Sequence, residues 1–219
     1  MKDAPRLRGG FAVRVVSLFL GLVVMAAAIV SLLQSGLGLA PWDVLHLGIA
    51  RHTPLAIGTA SIAVGLVVML VAWALGQPPG FGTVANAIVI GAVVDLLLAA
   101  GWVRELSTAG WPTRSLLLVL GVGLFGIGTA CYIGAGLGAG PRDSMMLVLA
   151  RRTGVRIAVV RSSLELLAIA AGWALGGTVG LGTLAVAVLL GPCVEASFLL
   201  FVRLGLAQAA PAPVQDLAL

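Results

Sequence analysis

The chain predicts an all-α polytopic membrane protein: six transmembrane helices as two inverted three-helix repeats, each with a short half-helix or interfacial helix. Three observations carry that expectation. The 219 residues are 60% hydrophobic and only 10% charged, with a mean hydropathy of +1.15, which no ordinary soluble domain reaches. Several uninterrupted apolar runs are long enough to cross a hydrocarbon core. The sequence also reads the same way twice at an offset of 100 residues. "GLGLAPWDVL" at 36–45 returns as "GLGAGPRDSM" at 136–145, and 36–95 match 136–195 at 22 of 60 positions without gaps.

The spans follow in order. The start, "MKDAPRLRGG" before an apolar stretch and "MAAAIVS", imitates a cleavable signal. Its apolar run is too long for one and has a counterpart near 115–135, so it reads as a membrane helix. The six spans fall at 12–34, 54–75, 83–101, 114–135, 155–175 and 181–202. The uncharged linkers "GQPPGF" at 76–81 and "GGTVGL" at 176–181 make tight turns between neighbouring helices. A central linker with Glu105, Pro112 and Arg114 joins an N-terminal repeat, 1–103, to a C-terminal repeat, 104–207. The tail 208–219, "QAAPAPVQDLAL", reads as disordered.

Lys and Arg orient the spans. With the N-terminus inside, the cytoplasmic side collects Lys2, Arg6, Arg8, Arg14, Arg142, Arg151, Arg152, Arg156 and Arg203. The other side collects Arg51, Arg104 and Arg114. That bias puts both termini in the cytoplasm. Three spans per repeat then turn the second half upside down relative to the first, an arrangement typical of alternating-access transporters and of some channels.

After the first span of each half comes Gly-Leu-Gly-x-x-Pro-x-Asp, some apolar residues, then a basic pair. Glycines at 36, 38, 136, 138 and 140 permit a break. Pro41 and Pro141 suit the first turn of a new helix, and Asp43 and Asp143 follow where a carboxylate can cap free amides. Arg51 and Arg151 stand at the negative end of that helix. Such a segment is either an amphipathic helix on the interface or a re-entrant half-helix entering the bundle. Capping is the expected job of the two aspartates, and a place on a substrate or ion path is the alternative.

Ionisable residues inside the spans mark the other candidates, since at this depth they need a partner or water. Asp95 and Glu195 are equivalent across the duplication, each late in a third span and near the interface, where anchoring is the expected role and a path the alternative. Pro192 and Cys193 just before Glu195 suggest a kink that would expose its carboxylate to an internal path. Arg161 and Glu165 lie one turn apart on the fifth span and can pair. Their first-half counterparts are Ser61 and Gly65, so this pair breaks the symmetry and is either structural or part of a substrate or proton path. The candidate path residues are therefore Asp43, Asp143, Arg142, Arg161, Glu165, Asp95 and Glu195. Asn86 reads as interhelical glue, His46 as an interfacial histidine, and Trp42, Trp73, Trp102, Trp111 and Trp173 as belt or gap-filling residues.

Several function classes are excluded as expectations. Cys131 and Cys193 sit in apolar runs and read as core thiols; no Cys/His cluster has metal-ligand spacing, and no cofactor is implied. The net charge of +5 serves orientation and lipid headgroups rather than nucleic acid. HExxH, a Gly-Lys-Ser/Thr phosphate loop and a serine–histidine pairing at shared depth are missing, so an enzyme is not expected.

At its paired signature segments the chain resembles the YczE/YitT-like family of bacterial multi-pass inner-membrane proteins, most of all its YczE-like branch. The resemblance covers roughly 15–203 and is most specific at Gly136-Leu137-Gly138-x-Gly140-Pro141-x-Asp143 and Gly180-x-Gly182-Thr183. It implies a bacterial inner-membrane location and a multi-pass architecture, and brings no catalytic set. The first half departs from the pattern, with Ala40 for the glycine at 140 and Trp42 for Arg142.

The leading expectation is a secondary transporter or permease-like protein for a small solute, with a slight preference for an anionic or zwitterionic one. A passive channel and a membrane scaffold or assembly protein are the alternatives. Membrane lipids are the expected partners. Gly121, Gly123, Gly126 and Gly128 suit either internal contacts or a homodimer.

Overall fold

The structure, a computed structural model, describes residues 5–101 and 106–208, without the side chain of Ser107. Lys2, Trp102, Arg104, Glu105 and the tail from 209 onward lie outside the described residues. Eight α-helices are described: α1 (Phe11–Ser35), α2 (Pro41–His52), α3 (Ile57–Ala74), α4 (Phe81–Ala99), α5 (Trp111–Ala135), α6 (Pro141–Thr153), α7 (Ile157–Ala174) and α8 (Leu181–Arg203). A short 3₁₀ turn, Leu106–Thr108, precedes α5. Six of the helices, all but α2 and α6, are long and apolar enough to cross a membrane. Their limits lie within a few residues of those read from the sequence. Gln208, assigned to the tail by composition, instead pairs in a two-residue antiparallel ladder: Arg6 with Gln208 and Leu7 with Ala207. With six spans between them, the two strands bring both ends of the described chain together.

Helices α1 and α5 form the centre and run antiparallel. Ser17 donates to Cys131 O at 3.2 Å near one end, and Leu32 lies against Gly121 near the other. Glycine permits that closeness. A Cβ on Gly21 would lie 2.7 Å from Gly128 O, and one on Gly128 would lie 2.7 Å from Gly21 O. Small residues at such crossings let backbones approach and gain dispersion contact where lipid supplies no hydrophobic drive. Gly121 and Gly126 also serve internal contacts, against Leu32 and Cys193, while Gly123 faces open space.

Each half then ties down the other. Arg14 at the start of α1 donates to Ala135 O (2.6 Å) and Gly136 O (2.8 Å) at the end of α5. Arg114 at the start of α5 does the same for Ser35 O (2.7 Å) and Gly36 O (3.0 Å) at the end of α1. Both guanidinium groups satisfy carbonyls that a helix end leaves orphaned. The loops after α1 and α5 thus sit at opposite ends of the central pair.

Those loops are clasped by the repeated Gly-Thr pairs of the opposite half. Gly182 N donates to Leu37 O at 2.7 Å and Leu39 N donates to Thr183 Oγ1 at 3.1 Å. In the mirrored contact, Gly82 N donates to Leu137 O at 2.8 Å and Thr83 Oγ1 donates to Ala139 O at 2.6 Å. Gly38 and Gly138 are glycines for a physical reason: both have positive φ, 128° and 138°, and both press against the clasping threonine. Arg51 and Arg151, expected to close their own short helices, reach the other half's turn. Arg51 donates to Gly176 O and Arg151 to Gln77 Oε1. The ends of α2 and α6 sit beside those turns, so the longer reach finds a fixed acceptor.

Filling the central seam tests this arrangement. Gly128→Val places a branched side chain against Gly21 and Met25 and should cost about 2 kcal/mol in denaturation experiments in detergent. Gly123→Ala, with nothing within 4 Å of the new carbon, should leave the midpoint unchanged.

Candidate functional site

The starts of both short helices line one cavity. Pro41 and Pro141 occupy first-turn positions, as their fixed φ suits, and Ala40 and Gly140 lead in with extended backbone. Ala40, Pro41 and Trp42 of one segment and Pro141, Arg142, Asp143 and Met146 of the other face the same space of about 280 Å³. Helices α1 and α5 supply Met25, Ile29, Phe125, Thr129 and Tyr132. Ser61 and Gly65 of α3 face it, as do their counterparts Arg161 and Glu165 of α7. Asn86 and Ile90 of α4 and Leu190, Gly191 and Val194 of α8 complete it. An apolar wall with a few converging polar groups is the usual make-up of a small-molecule site.

Its charges are held unequally. Tyr132 donates its hydroxyl to Asp143 Oδ2 at 2.7 Å and accepts Gly140 N–H at 3.0 Å. Asp143 therefore does not cap α6: the tyrosine hydroxyl stands between its carboxylate and the N-cap amide. Asp43 does not cap α2 either. Its Oδ1 lies 3.2 Å from His46 Nδ1 and 3.8 Å from Arg142 Nη2, and its buried Oδ2 has no partner. His46, expected at the interface, is 1% exposed, because α2 lies between α3 and α7 rather than on a free surface. Arg161 and Glu165 form the expected one-turn pair, Nε to Oε1 at 2.9 Å.

Arg142 is the least engaged charge lining the cavity. Its guanidinium stacks 5.2 Å above the Trp42 ring and reaches Asp43 only at 3.8 Å, with its side chain 34% exposed. A guanidinium carries five donors in a planar fork, and Arg142 makes no hydrogen bond to another described residue. Trp42, read from the sequence as a belt or gap-filling residue, is the shelf on which that arginine rests. The departure of Trp42 from the second-half pattern puts aromatic ring and cation face to face.

The remaining candidates fall elsewhere. Asp95 accepts hydrogen bonds from the start of α3, and Glu195 is exposed on α8, which runs unbroken through Pro192. Neither lines the cavity. Sequence reasoning missed Tyr132, although it is the only tyrosine in the chain and replaces Leu32 of the first half. Among the described residues no group of three or more His, Cys, Asp or Glu is placed to hold a metal. Cys131 and Cys193 are free thiols.

Fold and cavity together define a polytopic α-helical membrane protein with a mostly apolar cavity that gathers a few polar groups. The chain belongs to the family of unknown function DUF6198, which it matches over residues 12–198. It is 37% identical over 176 residues to the uncharacterized membrane protein YczE of Bacillus subtilis, covering 79% of this chain and 80% of that one. An uncharacterized protein of Haemophilus influenzae is 38% identical over 185 residues, covering 84% and 79%. The uncharacterized protein YyaS of Bacillus subtilis is 26% identical over 168 residues, covering 75% and 82%. No solved structure gives a significant match.

The tyrosine bridge has a measurable consequence. Tyr132→Phe strips Asp143 and Gly140 N of their shared partner and should lower stability by about 2 kcal/mol in detergent unfolding. Thr129→Val removes a buried hydroxyl that has no partner, and should leave stability unchanged or raise it.

Proposed function

We propose that this protein is a secondary transporter of the bacterial inner membrane, a permease for a small anionic or zwitterionic solute, with both termini in the cytoplasm. One observation carries the reading. Two equivalent short helices, one from each half, begin at a single cavity, and the equivalent helices α1 and α5 are antiparallel. Inverted repeats around a site flanked by short helices are the architecture of alternating access. No step in this function requires enzymatic chemistry.

Arg142 is the proposed solute anchor. The amide ends of α2 and α6 add positive potential, and the carboxylates of Asp143 and Glu165, which also line the cavity, attract an ammonium group. Asp43 balances the arginine from below without saturating it.

The two halves differ in a way that supports a transporter over an open channel. Helix α3 lies along α4, with Gly58 against Gly91, whereas α7 and α8 share almost no contact. With the termini inside, the sealed seam is periplasmic and the open one cytoplasmic, an inward-facing state. A channel needs both seams open together.

A thermal-shift screen of small carboxylates, phosphates and amino acids against purified protein tests the assignment. At least one compound should stabilise the wild type, and Arg142→Gln should weaken its binding about tenfold or more while the protein stays folded. Binding that survives Arg142→Gln unchanged contradicts the anchor. A wild type that no compound stabilises contradicts the solute class.

A further inference from the structure

Asp95 and Glu195 hold equivalent places in the duplication, yet only one is engaged. Asp95 on α4 accepts Gly58 N–H on Oδ1 at 2.7 Å, and Thr59 N–H and Oγ1–H on Oδ2, each at 2.7 Å. These are charge-assisted bonds to the free amides at the start of α3. Beside them the seam is so tight that a Cβ on Gly58 would overlap the carbonyl oxygen of Gly91.

The matching residues of the second half are Ala158, Val159, Gly191 and Glu195. There α7 stands away from α8, and a Cβ on Gly191 would meet nothing within 4 Å. The amide of Val159 turns back to Arg156 O at 2.9 Å instead of reaching a carboxylate. Glu195 is exposed, late in the apolar span α8, and no partner for it exists among the described residues. A lone carboxylate in an apolar span is costly unless it finds a partner or water, so a state that pairs Glu195 gains stability.

Resting on the alternating-access reading above, we infer that Asp95 and Glu195 are reciprocal gate latches. Asp95 holds α3 shut on α4 in the present state. In the opposite state Glu195 takes the amides of Ala158 and Val159 as α7 shuts on α8, and Asp95 lets go. The residue differences fit this exchange. Ala158 in place of Gly58 keeps α7 and α8 farther apart when shut, and glutamate reaches one methylene farther than aspartate. Val159 lacks the hydroxyl of Thr59, so the second latch makes two bonds against three. The state with α3 latched is accordingly the resting one. Both carboxylates are positioning residues and leave the cavity's own groups untouched.

The separation of α7 and α8 reports the latch directly. Spin labels at the exposed positions Val155→Cys and Leu200→Cys, in a Cys131→Ser, Cys193→Ala chain reconstituted in lipid, give it by double electron–electron resonance. Two distances are expected, the longer one dominant. Asp95→Ala should raise the short population relative to the long by about tenfold, and Glu195→Ala should deplete it by a similar factor. Thr59→Val removes one of the three donors and should move the ratio in the direction of Asp95→Ala, which keeps the test open if that variant fails to fold. Two distances whose ratio ignores all three substitutions overturn the latch and leave alternating access standing. A single unchanging distance overturns both.

Discussion

Everything in this protein hangs on the glycine-lined crossing of α1 and α5. Gly21 and Gly128 let two equivalent helices lie antiparallel at backbone contact, and that one choice generates the rest. Because the helices are antiparallel equivalents, each end of the pair presents one helix start and one helix end. Arg14 and Arg114 are therefore each beside a helix terminus whose carbonyls need donors. The same crossing carries the two signature loops to opposite ends, where the Gly-Thr pairs of α4 and α8 hold them. From there α2 and α6 both start at the central cavity.

The duplication supplies a scaffold, and its exceptions supply chemistry. Arg161 and Glu165 replace Ser61 and Gly65, Arg142 replaces Trp42, and Tyr132 replaces Leu32. Seven of these eight positions line the cavity, and the eighth, Leu32, is committed to the α1–α5 crossing. Conversely, an exact match, Gly82-Thr83 with Gly182-Thr183, is devoted to holding loops. Symmetry preserves the frame while asymmetry gives the site one dominant cation and gives the two seams unequal strength.

The six spans were legible because apolar length is a one-dimensional signal, and the helix starts at Pro41 and Pro141 because proline fixes φ locally. The Arg161–Glu165 pair was legible for the same reason: both partners sit on one helix, a turn apart. What the sequence hid was every contact between halves. The clasp of Leu37–Leu39 by Gly182 and Thr183 joins residues more than 140 positions apart. His46 and Asp43 looked interfacial or capping because nothing local says that α7 covers α2. Tyr132 carries no local signal, since its hydroxyl acquires meaning only when α6 folds back to bring Gly140 and Asp143 against it.

Sided access to the cavity is the most direct measurement of whether the two halves alternate. Asn86 lines the cavity from α4, and Asn86→Cys in a chain lacking Cys131 and Cys193 gives a single reactive probe. A membrane-impermeant maleimide is applied to oriented vesicles from one side or the other. Labelling from the cytoplasmic side, with slower labelling from the periplasmic side, is the expected result. Labelling from one side alone, however long the exposure, contradicts alternating access around this cavity.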